Sequence, residues 1–302
     1  MRIVITGSDG QLGVDLMRSL AAHGKVVGTT IADMDITDPG CVDRLASLRP
    51  DWVVHAAAAT DVDDCEREPE HAMAVNGEGT RRVAEGCRRA GAGLVYLSTD
   101  YVFDGGKGAP YTEADSPAPL NAYGRSKLEG ERAVQSVTAR WAIVRTAWLY
   151  GTHGNNFVKT ILGKVEAGGP LRVVDDQVGS PTYAADLARA VALLISRRLT
   201  GVFHVTNSGS CSWYEFTREI LRLAGADVKR VSRISSEELN RPARRPAFSV
   251  LENAAWRAAG LPPMRPWPEG LTDMLAALKA VDYSIRRRAN EASGSRDSNS
   301  TA

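Results

Sequence analysis

The chain has 302 residues, 43% of them hydrophobic and 24% charged, which suits one large α/β domain or a domain with a smaller lobe. Its net charge of +1 supplies no field to draw it to nucleic acid or to an anionic membrane, so neither is expected as a partner. Cys41, Cys65, Cys87 and Cys211 form no CxxC pair and have no zinc-ligand spacing to histidine, so they read as reduced thiols of a cytoplasmic protein.

No run of about 18 apolar residues occurs, so no transmembrane helix is expected, and Met1–Thr6 is too short for the apolar part of a signal peptide. In chain order, apolar runs at Ile3–Thr6, Val26–Thr30, Trp52–Ala56, Leu94–Ser98 and Ala142–Arg145 predict strands. They lack period-two alternation, as strands covered on both faces do. Helical patterns fill the gaps at Leu12–Ala22, Cys41–Leu48, Ala72–Ala90 and Ser126–Val137. Such alternation predicts a parallel sheet with helices on both faces.

Beyond Arg145 the rhythm loosens. A Gly- and Asn-rich loop at Trp148–Asn156 is followed by a helix at Phe157–Ala167, a strand at Leu171–Val174 and a helix at Tyr183–Ser196. A strand at Val202–Val205 and helices at Trp213–Ala224 and Trp267–Ala280 complete the pattern. The basic, Pro-broken stretch Arg230–Pro246 predicts an irregular lid or edge. The expected division is a nucleotide-binding domain over 1–150, a partly interleaved substrate lobe over 151–282, and a disordered polar tail over 283–302.

The first strand runs into Thr6-Gly7-Ser8-Asp9-Gly10-Gln11-Leu12-Gly13. Gly7 lets the chain turn off the strand, Gly10 lets backbone approach a pyrophosphate, and Gly13 lets the helix pack close to the sheet. The helix start then offers free N–H groups to phosphates. With the alternation, this makes the expected fold a Rossmann-type doubly wound α/β sheet with a smaller C-terminal substrate lobe. An NAD site would end the second strand in a carboxylate, whereas this strand ends Val27-Gly28-Thr29-Thr30. That leaves room for a 2′-phosphate and favours NADPH, with NADH as the second choice. Asp35, before Ile36, reads equally as a border of the adenine or as a turn cap. The third strand ends in Ala56–Ala59, small residues that leave space for a cofactor, and His55 reads as a packed strand-end residue.

The fourth strand ends Ser98-Thr99-Asp100-Tyr101, hydroxyls at the carboxyl end that faces the crevice. Tyr123 and Lys127 are four apart, so on a helix they share a face. The Lys127 ammonium would then lower the Tyr123 pKa and make it a general acid for a carbonyl oxygen. Thr99 would polarise the same carbonyl. Alone, YxxxK is better read as a Tyr capping a helix and a surface Lys; the glycine motif, the Ser-Thr strand end and the order of the three turn the reading to catalysis. Trp148 could stack on a sugar or fill the core. Asn156 and Gln177 are candidate polar contacts, and Arg244 and Arg245 could pair with a diphosphate or with solvent.

These residues resemble the extended short-chain dehydrogenases and, within them, the dTDP-4-dehydrorhamnose reductase family. The likeness runs through Gly7–Gly13, Asp35-Ile36-Thr37, Ala56–Thr60, Val62-Asp63, Val75-Asn76, Ser98–Gly105, Tyr123–Lys127, Arg145–Gly151, Asn156-Phe157-Val158, Asp175–Thr182 and Arg244–Pro246. It implies Thr99, Tyr123 and Lys127 as the catalytic set. It implies a cofactor site of Gly7, Gly10, Gln11, Leu12, Gly13, Asp35, Ile36, Ala57, Ala58, Tyr123 and Lys127. The substrate would be bordered by Thr99, Asp100, Tyr101, Tyr123, Trp148 and Asn156. Ala59 stands where the family often has Tyr, which would widen the pocket. Asp186 is a single acid where some members use Glu for a dimer-bridging metal, so no metal is expected and a homodimer stays open.

The resemblance implies NADPH-dependent reduction of the 4-keto group of a dTDP-linked keto-sugar, in the main case dTDP-4-dehydrorhamnose to dTDP-L-rhamnose. A 4-ketoreductase making another deoxysugar or dTDP-dihydrostreptose is the near alternative. A nucleotide-sugar epimerase or dehydratase is a second, against which Asp100-Tyr101 replaces the dehydratase Asp-Glu pair. A non-catalytic subunit similar to that of methionine adenosyltransferase is a third, against which the intact Thr99, Tyr123 and Lys127 set speaks.

Overall fold

A computed structural model describes residues 1–294, with side chains described through residue 280. Five strands, β1 (Arg2–Thr6), β2 (Lys25–Thr29), β3 (Trp52–His55), β4 (Gly93–Thr99) and β5 (Trp141–Thr146), are joined at the edge by a sixth from the C-terminal half, Gly201–His204. All pair in parallel, in the order Gly201–His204, β5, β4, β3, β1, β2.

The apolar runs bury both faces, as their lack of alternation predicts. Ile3 and Ile5 point into one core with Val54, Val95 and the helices Gln11–Leu20 and Ala184–Ser196. Val4 points into the other with Val53, Leu94, Ile143 and the helices Cys41–Ser47, Thr80–Ala90 and Ala122–Val137. The chain leaves β1 for β2 on one side and then crosses to β3 on the other. The crevice at the carboxyl ends of β1 and β3 is therefore the natural ligand position.

A third core lies beyond the sheet's carboxyl edge. Tyr150, Phe216, Ile220 and Leu271 gather the helices Phe157–Glu166, Trp213–Ala224 and Trp267–Gly294. The strand Leu171–Val174 pairs in parallel with Val231–Ile234. Between these, Gly201–His204 returns to the main sheet beside β5.

Three elements differ from expectation. The long helix expected at Ala72–Ala90 is a helix at Pro69–Ala72, a wider π-helical stretch at Met73–Gly79 and a helix at Thr80–Ala90. The helix expected from Ser126 starts at Ala122, because Asn121 caps it by accepting a bond from the Gly124 N–H at 2.8 Å. The stretch Arg230–Pro246 is less irregular than its prolines suggest and holds the strand Val231–Ile234 and a short helix, Ser236–Leu239. The final helix runs to Gly294, through the start of the expected tail; 295–302 lies outside the described residues. Among the described residues no helix is long and apolar enough to cross a membrane.

Candidate active site

Three adjoining cavities follow the crevice. One of about 390 Å³ lies over the ends of β1 and β2, bordered by Gly10, Asp35, Ile36, Ala57 and Ala59. A central one of about 400 Å³ holds Gln11, Leu12, Ser98, Thr99, Tyr123 and Lys127. Gly7, Gly10, Ala56 and Ala58 border both. A third, of about 600 Å³, shares Thr60 with the centre and lies among Tyr101, Gln177, Trp213, Arg241 and Arg245.

The glycine turn forms as its spacing predicts. Gly7 has φ +69° and sits so close to β3 that a Cβ would lie 2.8 Å from the Ala57 backbone. A Cβ on Gly13 would lie 2.1 Å from the Gly7 carbonyl oxygen. The backbone thus forms a cradle that side chains would fill, with the start of helix Gln11–Leu20 behind it. These residues fit a dinucleotide pyrophosphate. Asp35 accepts from the N–H and hydroxyl of Thr37, both at 2.8 Å, which hold its carboxyl below the usual range. It therefore caps a turn and borders the cavity as well.

Thr99, the last residue of β4, donates its hydroxyl to Asp100 Oδ1 at 3.1 Å and accepts from the Tyr101 N–H at 3.2 Å. Asp100 is buried, and burial pushes its carboxyl up to about 7 against the pull of Ser249 and Thr99 hydroxyl bonds. Tyr123 and Lys127 lie on the helix Ala122–Val137, both facing the central cavity. Burial pushes the Tyr123 phenol up, which corrects the expectation that Lys127 lowers it. Lys127 is 3% exposed, and burial pulls its ammonium down to about 7. Its Nζ lies 4.3 Å from the centre of the Tyr96 ring.

The π-helical stretch has a local reason. It carries Asn76, whose side chain donates to Ala59 O at 2.9 Å and Ser126 Oγ at 3.0 Å and accepts from Ala59 N at 2.9 Å. This ties the end of the third strand's loop to the Tyr123 helix. Ala59 borders the cavity over the ends of β1 and β2, and its small side chain leaves room there. His55 is packed between Thr6, at 2.7 Å, and Thr80, at 3.1 Å.

On the substrate side the expectations fare unevenly. Tyr101 borders the outer cavity and meets the Tyr123 ring edge-on, 6.0 Å between centres. Trp148 borders the centre, but one face is stacked on Trp213 with 3.5 Å between centres. Asn156 is committed to the chain. It caps helix Phe157–Glu166 by accepting from Lys159 N at 3.1 Å and donates to Gly151 O at 2.8 Å; Asn155 borders the cavity in its place. Gln177 borders the outer cavity and donates to Ser236 Oγ at 2.8 Å. Arg244 is exposed, and its carbonyl accepts from Asn121. Arg245 and Arg241 reach the outer cavity and pair with the buried Asp63 at 2.9 and 3.2 Å. Asp186 pairs with Arg189, with Arg265 at 2.8 Å and with Asn207.

Trp213 and Arg241 border the site without having been expected there. Trp213 reads as part of an amphipathic helix, and Arg241 is one cation of a basic run whose partner lies 178 residues away.

Residues 1–280 match the family described as "RmlD substrate binding domain". A dTDP-4-dehydrorhamnose reductase of Streptomyces griseus is 46% identical over 286 residues, 92% of this chain and 94% of the relative. A probable dTDP-4,6-dihydroxy-2-methyloxan-3-one 4-ketoreductase of Streptomyces antibioticus is 42% identical over 292 residues, 95% of this chain and 99% of the relative. The crystal structure of a dTDP-4-dehydrorhamnose reductase of Bacillus anthracis in complex with NADP superposes with a TM-score of 0.89 at 41% identity, covering 91% of this chain and 99% of that one.

Proposed function

The chain belongs to the RmlD substrate binding domain family, and on that premise we propose that it reduces the 4-keto group of a dTDP-4-keto-6-deoxy sugar with NADPH, turning dTDP-4-dehydrorhamnose into dTDP-L-rhamnose. It is an NAD(P)H-dependent oxidoreductase. The observation that carries the reading is the meeting of Thr99, Tyr123 and Lys127 in a central cavity flanked by the glycine cradle and by a larger cavity with arginines.

Gly7, Gly10, Gln11, Leu12 and Gly13 hold the cofactor phosphates, and Asp35, Ile36, Ala57 and Ala58 line the rest of its groove. When bound, NADPH supplies the hydride for sugar carbon 4. Tyr123, kept protonated by burial, has a proton to give as negative charge develops on the carbonyl oxygen. Thr99 turns its hydroxyl from Asp100 to that oxygen and stabilises the same charge. Lys127 sets its ammonium against the cofactor ribose and the developing tyrosinate. Tyr101 and Trp148 border the sugar, and Arg245 faces the diphosphate in the outer cavity. Four buried free thiols support a cytoplasmic site of action.

The same chemistry on another deoxysugar nucleotide is the second reading, favoured by the ketoreductase relative from Streptomyces antibioticus. The test is oxidation of NADPH with dTDP-4-dehydrorhamnose generated by upstream enzymes. Wild type turns over, and Tyr123→Phe loses about 10²- to 10⁴-fold in kcat while still binding NADPH. Turnover only with a different dTDP-keto-sugar selects the second reading. No turnover with any of them, despite NADPH binding, ends the enzyme reading.

A further inference from the structure

Behind the three catalytic residues lies a buried polar cluster to which the reaction as described assigns no role. Glu131 sits one helical turn beyond Lys127 and is 2% exposed. Its carboxylate accepts from Ser98 Oγ at 2.5 Å, Arg145 Nε at 2.9 Å and Arg145 Nη2 at 2.7 Å. Ser98 directly precedes Thr99 on β4, and Arg145 is its register partner on β5. Arg145 also reaches His204 Nε2 at 3.4 Å on the edge strand. The His204 Nδ1 lies 3.0 Å from the Tyr111 carbonyl, so Nδ1 carries the proton and Nε2 accepts from Arg145. One carboxylate therefore joins the helix of Tyr123 and Lys127 to the strand of Thr99. Stability alone does not account for such a pair, because apolar replacements of similar volume are often neutral or stabilising.

We infer that Glu131 is a positioning residue: bonded to Ser98 and Arg145, it holds Thr99 in register with Tyr123 and Lys127 and sets a carboxylate one helical turn from the Lys127 amine. The inference rests on the reductase reading for the identity of the reacting groups. Lys127 is faced by few other charges. Its own helix presents Tyr123 and Glu131, β4 presents Tyr96, and Asp100, just past the end of β4, lines the same cavity. His55 on β3 and Cys65 on the helix Val62–Arg67 complete the set. Burial takes His55 down to about 3 and the Cys65 thiol up to about 11, so both are neutral near pH 7. Burial also raises Asp100 to about 7, which leaves Glu131 as the principal anion opposing the desolvation of Lys127.

The test measures kcat and the NADPH dissociation constant between about pH 6 and 10 for wild type, Glu131→Gln, Arg145→Gln and Glu131→Asp. Removing the anion destabilises the ammonium, so in Glu131→Gln the alkaline limb moves about one pH unit lower and kcat falls about tenfold. Arg145→Gln leaves the anion uncompensated, and the limb moves higher. Glu131→Asp keeps the charge but shortens the reach; its limb stays in place while kcat falls. Should Glu131→Gln not fold, Glu131→Asp decides the positioning role and Arg145→Gln the electrostatic one. Limbs that stay put in both glutamine variants, or that move in the same direction, overturn the electrostatic role. Wild-type kcat in folded Glu131→Asp overturns the positioning role. The NADPH constant reads Lys127 without any sugar. A wild type that binds NADPH but reduces no dTDP-keto-sugar therefore sinks the reductase reading, while the shift in the pH dependence of the NADPH constant still decides the role of Glu131.

Discussion

The two ends of the crevice are built by different means. The glycine end, where the cofactor is proposed to lie, is backbone: seven consecutive residues, Gly7–Gly13, turn against β3 with no space for side chains at Gly7 and Gly13. The outer end is made of side chains brought from far apart, with Asp63 holding Arg241 and Arg245 from 178 and 182 residues away. A wall of backbone fixes what it binds, because almost any substitution fills it. A wall of charged and aromatic side chains can be retuned one residue at a time, as suits a family whose relatives carry names for different keto-sugars.

That contrast can be broken experimentally. The largest effect is expected for Gly13→Ala, whose Cβ would meet the Gly7 carbonyl oxygen at 2.1 Å. It should cost about 3 kcal/mol, roughly a hundredfold in NADPH Kd by fluorescence titration. Wild-type affinity would show that the cradle yields and that the cofactor end is as adaptable as the other.

Asp63→Asn should act on the opposite end only. Burial raises the Asp63 carboxyl, but the Arg245 bond, the Ala243 N–H and the charges of Arg245 and Arg241 outweigh it and hold the group below the usual carboxylate range. Its contribution to stability is therefore complete above the unfolded pKa, about 4, and is lost as pH falls through the lower folded value. The variant should lose about 2 kcal/mol at neutral pH and raise KM for the sugar nucleotide about tenfold, with NADPH Kd unchanged. Denaturant melts should show the gap to wild type closing as pH drops below about 4; a gap independent of pH would mean that the charge of Asp63 is immaterial.

Trp213→Leu removes the partner stacked on Trp148. About 1 kcal/mol, roughly fivefold in KM for the sugar nucleotide, is expected with no change at the cofactor end. A matching loss in NADPH affinity would join the two walls into one unit. The smallest effect belongs to Asn156→Ala. It removes a helix cap and should lower Tm by roughly 2 °C while kcat stays the same. A fall in kcat would restore Asn156 as a substrate contact.

The same division explains what could be read in advance. The five N-terminal strands lie within a residue or two of their predicted positions, because burial on both faces writes itself into consecutive apolar residues. The glycine turn is legible for the same reason, being local. Trp148 and Asn156 were recognisable as residue types but not in their contacts. Whether an indole face is open depends on Trp213, 65 positions on, and an Asn that opens a helix is as good a cap as a ligand contact. The π-helical widening at Met73–Gly79 has no periodic signature, since its reason is the reach of Asn76 to Ala59 and Ser126. Glu131 is one more acid on an amphipathic helix until Arg145 and Ser98 are seen to bond it.

The edge strand Gly201–His204 sets an order on the birth of the molecule. The sheet lacks its last member until about 200 residues have left the ribosome, by which time the helix Phe157–Glu166 and the strand Leu171–Val174 of the third core have also emerged. His204, the far end of the chain of contacts through Arg145 to Glu131, arrives with that strand. A nascent chain stalled before it would present an open β5 edge to its neighbours, and cutting the protein near residue 150 would yield two fragments, neither holding a finished sheet.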